Sequence, residues 1–218
     1  MDPWLETFAR ASFQRSADVA HDLKTPLNIA VLNLELLRMR LAKLGVEQDE
    51  KLEGYSRAVE IELRRMGKIF DAFFILSAPP QGDEPPMPID AAAIAVAVAD
   101  AAGIALTTEP ATVTAHEPRI RQAVDLFFDG ASNLLGSDGL EVTTEHLPDA
   151  FAIVASGTPV APDVELSKLF KLYYTDRDGN PDLSLAVARL IAETYGGELI
   201  AVSERDKVTL RLSFPLGD

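Results

Sequence analysis

Large apolar residues recur along the first part of the chain at alternating steps of four and three: Leu23, Leu27, Ala30, Leu34, Leu37, Leu41 and Leu44. That rhythm keeps one stripe of a helix apolar, and sustained over this length it is a heptad seam. Gly45 follows as a stop signal. The rhythm resumes through Leu52, Val59, Leu63, Met66, Phe70 and Phe73, with Ser56 as its polar interruption. Two long helices joined by a short turn predict an antiparallel hairpin. One hairpin cannot cover two apolar seams by itself, so the pattern also predicts a homodimer that closes a four-helix bundle.

The pattern breaks at residues 78–88, Ala78-Pro79-Pro80-Gln81-Gly82-Asp83-Glu84-Pro85-Pro86-Met87-Pro88. Five prolines in such a stretch neither continue a helix nor sit inside a sheet, and they mark a semi-rigid linker between a hairpin over 1–77 and a second domain over 89–218. In that domain helical and strand-like patterns mix. A helix is predicted over 90–102, short strands over 104–108 and 111–115 around Pro110, and a helix over 118–135. Alternating strands follow over 140–145 and 151–155, separated by Pro148 and Asp149. Helices near 164–172 and 183–195 precede a terminal strand pair, 198–203 and 207–214. The fold class is α+β: an N-terminal helical hairpin, then an α/β sandwich.

Composition narrows the function. With 47% hydrophobic and 25% charged residues the chain reads as globular. A formal charge of −14 argues against nucleic acid and against anionic lipid, because both require a basic surface. There are no cysteines, and His21, His116 and His146 lie too far apart for metal-ligand spacing, so neither a disulfide nor a zinc site is expected. The N-terminus lacks a signal-peptide pattern, and the most apolar stretch, Ile89 to Leu106, is too short and too polar to cross a bilayer. A cytoplasmic protein is expected.

One motif carries chemistry. His21-Asp22-Leu23-Lys24-Thr25-Pro26-Leu27 resembles the H-box of sensor histidine kinases: His, an acid, any residue, Arg or Lys, Thr or Asn, then Pro. A neutral imidazole is a good nucleophile toward phosphorus, and its phosphoramidate is labile enough to pass the group on. Asp22 can hold one ring nitrogen as N–H and raise the basicity of the other. Thr25, one turn beyond His21, can position a water against a phosphoryl group held by a partner. Pro26 removes a backbone donor and bends the helix just past the reactive residue. At about 100° per residue, His21 points away from the leucine seam, and Ile29, Leu32 and Leu36 project near it.

The resemblance extends downstream and fails there at particular positions. Residues 119–131 resemble the N-box helix of the kinase ATP-binding domain, with Leu126 and Gly130 where that family carries asparagines. Residues 153–163 resemble the first glycine box, with Ala155 in place of the adenine-reading Asp and Pro159 in place of a glycine. Residues 169–174 resemble the F-box. Asp182 and Ser184 replace the two glycines of the second glycine box. Scaffold positions agree, including the closing hairpin, and nucleotide-contacting ones do not.

The resemblance therefore implies a histidine phosphotransferase that moves a phosphoryl group between receiver-domain aspartates through His21, with no ATP or other cofactor on this chain and Mg²⁺ on the partner receiver. Its catalytic residues are expected to be His21, Asp22 and Thr25. Lys24, Asn28, Ile29, Leu32 and Leu36 are expected to meet the receiver. Expected partners are a second copy, response-regulator receivers and an upstream hybrid kinase. A receiver phosphatase, a non-catalytic scaffold and a divergent active kinase are the alternatives.

Overall fold

The computed structural model describes residues 27–28, 30–39, 50–77, 85–161, 164–170 and 182–217, which fall into two compact units. In the first, α1 is helical over 27–28 and 30–39, and α2 runs Glu50–Ser77. Cross-helix ion pairs set their direction. Arg38 Nη1 donates to Glu60 Oε2 at 2.8 Å, and Arg64 Nη2 to Glu35 Oε1 at 3.3 Å. A later residue of α1 thus meets an earlier residue of α2, so the helices are antiparallel, as the two heptad runs predict. Leu27, Ala30, Leu34, Leu63 and Phe70 are half-buried between them, whereas the seam residues Leu37, Val59 and Met66 remain exposed on the single chain.

The second unit is a helix layer on a sheet. Its elements are β1 (Met87–Asp90), α3 (Ala91–Ala101), β2 (Thr112–Ala115), α4 (Glu117–Leu135), β3 (Glu141–His146), β4 (Ala150–Gly157), α5 (Ser184–Thr194), β5 (Glu198–Glu204) and β6 (Lys207–Pro215). The last four strands form an antiparallel sheet in the order β3-β4-β6-β5, and β1 and β2 form a separate antiparallel pair. Strand alternation decides the core. Phe151, Ile153 and Ala155 of β4 pair with Phe214, Leu212 and Leu210 of β6 on the inner face, all essentially inaccessible to solvent. Helix α4 lays Ile120, Val124, Phe127 and Phe128 into that core, and α5 adds Leu185, Ala188 and Ile191. The other face is polar at its margins, where Arg211 meets Glu145 and Lys207 meets Glu141.

Asp90 explains where α3 begins. Its Oδ1 accepts the N–H groups of Ala92 and Ala93 at 3.1 Å each, capping the helix, and that of Ala111 at 3.2 Å beside β2. Three expectations need correction. Residues 87 and 88 belong to β1 rather than to the linker; Pro88 is tolerated because a two-stranded sheet consists only of edges. Residues 104–108 are not a strand: neither sheet includes them, so strand-like composition alone makes no ladder. Between 164 and 170 the helical structure is one 3₁₀ turn, Leu166–Lys168.

Candidate functional site

His21, Asp22, Lys24, Thr25 and Ile29 lie outside the described residues. The described part of the expected receiver surface is the stretch of α1 that follows. There Asn28 is exposed, Leu32 is 55% exposed and Leu36 47% exposed, a large apolar outlay for one helix face. Asn28 and Leu32 line a groove of about 380 Å³ between the two helices, together with Leu27, Val31, Leu63 and Gly67. Leu36 lies outside that groove. Arg64 borders it and is held by Glu60 at 2.7 Å and Glu35 at 3.3 Å. The hydrogen bond from Arg64 holds the Glu60 carboxyl below its ordinary range, with the charges of Arg64 and Arg38 acting in the same sense against a smaller effect of burial. Leu63 and Gly67 escape sequence reasoning, because the heptad assigns Leu63 to the seam and only the hairpin register brings α2 alongside Leu32.

In the second unit three of the positions that resemble nucleotide contacts, Gly130, Asp182 and Ser184, come together around the start of α5. Asp182, only 7% exposed, accepts the Ser184 N–H on Oδ1 at 2.9 Å and the Asn133 side-chain amide on Oδ2 at 3.1 Å. A carboxylate of this chain therefore answers the positive end of α5, where unsatisfied N–H groups would otherwise attract an anion. Leu185 packs over Gly130: a Cβ built at 130 would stand 2.6 Å from Leu185 Cγ. Ala155 is wholly buried in β4, opposite Leu210. Pro159 is half-buried in the loop beyond β4, and the next residue, Val160, donates its N–H to the Leu134 carbonyl at 2.9 Å. Burial, then the charges of Asp125 and Asp182, push the Asp129 carboxyl above its ordinary value. This end of the unit is apolar and negative.

The other histidines have local partners. His116 Nδ1 shares a hydrogen bond with the Tyr195 hydroxyl at 2.8 Å, and His146 Nε2 shares one with Thr108 Oγ1 at 3.1 Å. Among the described residues no group of three or more His, Asp or Glu side chains is arranged to hold a metal ion. Nor is any described helix long and apolar enough to cross a membrane.

Residues 14–82 match the His Kinase A (phospho-acceptor) domain, and His21 falls inside the matched span. Over 227 aligned residues the chain is 24% identical to the aerobic respiration control sensor protein ArcB of Escherichia coli, covering 93% of this chain and 28% of that protein. It is 26% identical to the sensor protein CzcS of Cupriavidus metallidurans, covering 92% of this chain and 45% of that protein. The chain thus spans less than half the length of the curated relatives it matches. Among solved structures, histidine kinase ThkA in complex with response regulator protein TrrA aligns with all of this chain and 68% of its own, at 16% identity and a TM-score of 0.61. Histidine kinase AdeS of Acinetobacter baumannii aligns with 91% of this chain and 98% of its own, at 19% identity and a TM-score of 0.55. These likenesses establish the fold.

Proposed function

Taking as premise that the chain is a histidine-kinase-like protein with a phospho-acceptor domain, we propose that it relays phosphoryl groups between receiver domains without using ATP. One observation carries the second half of that reading: the Asp182 carboxylate accepts the first N–H of α5, that of Ser184, while Leu185 fills the space over Gly130. Bound ATP would have to bring its phosphates to a helix end already taken by a negative side chain. Among the described residues, those at the start of α5 do not suit a nucleotide's phosphates. The wider field acts in the same sense, since residues 85–218 hold 20 of the 34 acidic side chains and only 9 of the 20 basic ones.

In the relay one ring nitrogen of His21 attacks the phosphorus of a receiver's aspartyl phosphate. The phosphorus–oxygen bond to the aspartyl carboxylate breaks, the carboxylate keeps the electron pair, and a phosphorus–nitrogen bond forms. The proton on the other ring nitrogen stays in place, and Asp22 stabilises the imidazolium that results. Attack by a second receiver's aspartate reverses these steps. Thr25 is the group that would direct a water instead and make the outcome hydrolysis. Mg²⁺ belongs to the receiver. Asn28, Leu32 and Leu36, with Lys24 and Ile29, dock the receiver, and two copies of the chain form the working unit. The ThkA complex, in which a protein of this fold binds a response regulator, supports the partner class.

The test is incubation with radiolabelled ATP alone and then with a phosphorylated receiver. Label is expected on His21 only in the second case, and His21→Ala should abolish it. Label taken from ATP alone would make the protein a kinase and refute the proposal.

A further inference from the structure

In the second unit, away from the start of α5, three side chains form a hydroxyl–imidazole chain. Thr144 Oγ1 donates to Thr108 Oγ1 at 2.8 Å, and Thr108 Oγ1 lies 3.1 Å from His146 Nε2. Because Thr108 already accepts from Thr144, its own proton goes to the imidazole or to the Glu109 carbonyl at 3.2 Å. In the His146 tautomer protonated at Nδ1, Nε2 accepts, and the imidazole stands within the reach of about 2.6–3.2 Å that a general base requires. Thr144 and His146 are two residues apart in β3 and so share one face of the strand. The His146 ring tilts against Phe151, its fully buried partner across the ladder, with centroids 5.4 Å apart. Thr108 is half-buried and His146 exposed, so solvent reaches both. Thr108 also lines a groove of about 550 Å³ between α3 and the segment that follows it, a volume in the range of small-molecule sites. Its walls are mainly apolar, with Val96, Ala97, Ile104 and Leu106, and its charged lining residues are the carboxylates Asp90 and Asp100. Such a lining accepts a short aliphatic chain and repels an anion.

The geometry points to Thr108 as a covalent acyl acceptor with His146 as its general base, taking its acyl group from a neutral ester with a short aliphatic chain. Thr108 Oγ1 attacks the ester carbonyl carbon as His146 Nε2 takes the hydroxyl proton. The tetrahedral adduct then expels the alkoxide, which leaves with its electron pair and receives that proton from Nε2. The products are an ester on Thr108 and the free alcohol, and the imidazole ends neutral as it began. Among the described residues no carboxylate holds the imidazole as in a full triad, so the reaction is a single slow acylation and not rapid turnover. It makes no use of His21 and does not depend on the relay.

The experiment incubates the full chain with p-nitrophenyl butyrate and locates the butyryl group by mass spectrometry of the digested protein. Label on Thr108 is expected, with an initial rate about 100-fold or more lower in His146→Gln, the lower end of what a positioned base contributes. Thr108→Ser should keep labelling at position 108, and adding His146→Gln to it should bring the same fall. Circular dichroism of each variant should match wild type. The anionic mono-p-nitrophenyl ester of succinic acid should label Thr108 more slowly than the butyrate. Wild type labelled only on lysines or at the amino terminus overturns the proposal without recourse to any variant. Equal rates at Thr108 in wild type and His146→Gln also overturn it, and leave the three side chains a staple between residue 108 and β3. Faster labelling by the succinate ester overturns the assigned substrate class.

Discussion

Replacing Gly130 with alanine sets two effects of opposite sign against each other. Within a helix alanine is favoured over glycine by about 0.8–1.0 kcal/mol, so in an unobstructed α4 the change would stabilise. Here the new Cβ lands 2.6 Å from Leu185 Cγ, 2.8 Å from its Cδ2 and 3.2 Å from its backbone nitrogen. Carbon atoms rest comfortably about 3.5–4.0 Å apart, so the Leu185 side chain must retreat by roughly 1 Å. Its backbone sits next to Ser184, whose N–H is held by Asp182, so it cannot simply follow. Overpacking of this kind costs about 1–3 kcal/mol. The difference leaves Gly130→Ala destabilised by up to about 2 kcal/mol, or roughly 2–4 °C of melting temperature per kcal/mol for a chain of this size. Urea unfolding followed by far-ultraviolet circular dichroism is the assay, because the chain's one tryptophan, Trp4, belongs to the other end of the sequence. In a Leu185→Ala background the side-chain obstruction is gone and only the backbone nitrogen at 3.2 Å remains, so Gly130→Ala should recover most of the helix gain of about 1 kcal/mol. If Gly130→Ala in the otherwise unaltered chain is already more stable by that amount, Leu185 does not fill the space over α4 and the reasoning fails.

Three further outcomes follow from the same structure. Asp182→Ala removes the acceptor of the Ser184 N–H and of the Asn133 amide, and thermal unfolding should show a loss of about 1–3 kcal/mol; no change would mean that these bonds are dispensable. Asp129 has a folded-state pKa raised chiefly by burial, so its ionisation opposes folding and stability falls as pH rises from the ordinary aspartate value of about 3.9 through the raised one. Asp129→Asn should therefore raise the melting temperature at neutral pH, and an advantage that persists undiminished below pH ~3 would contradict the assignment. Leu34→Asp should convert a wild-type dimer to monomer in light scattering, since each buried leucine contributes about 1.5–3 kcal/mol, and a folded monomeric wild type would overturn the expected bundle.

The helices were legible wherever a period or a cap announced them. Alternating steps of four and three mark α1 and α2, and Asp90 before an alanine run marks the start of α3. The alternation in β3, β4, β5 and β6 located the main sheet to within a few residues. The pairing of β1 with β2 was not legible, because Pro88 looks like linker until its partner is known to form an edge. Residues 104–108 have strand composition, yet a strand exists only where a neighbour offers a ladder. At the candidate site the replaced residues Gly130, Asp182 and Ser184 could be read one at a time. That Leu185 closes over Gly130 could not, because the contact joins distant parts of the chain. The groove beside Leu32 was half legible: α1 shows its apolar face, while Gly67 gains meaning only from the hairpin register.

The charge ladder of the hairpin restricts how α1 and α2 can move. Sliding α2 by one turn in one direction brings Glu60 to the place of Arg64, opposite Glu35, and leaves Arg38 facing Ser56. Sliding it the other way brings Arg64 opposite Arg38, although Lys68 then reaches Glu35. Each displaced register sets like charges against each other, where the observed one joins Arg38, Glu60, Arg64 and Glu35 in a single alternating chain. A piston stroke along the helix axes is therefore discouraged in both directions, while bending or rotation of the paired helices leaves the ladder intact.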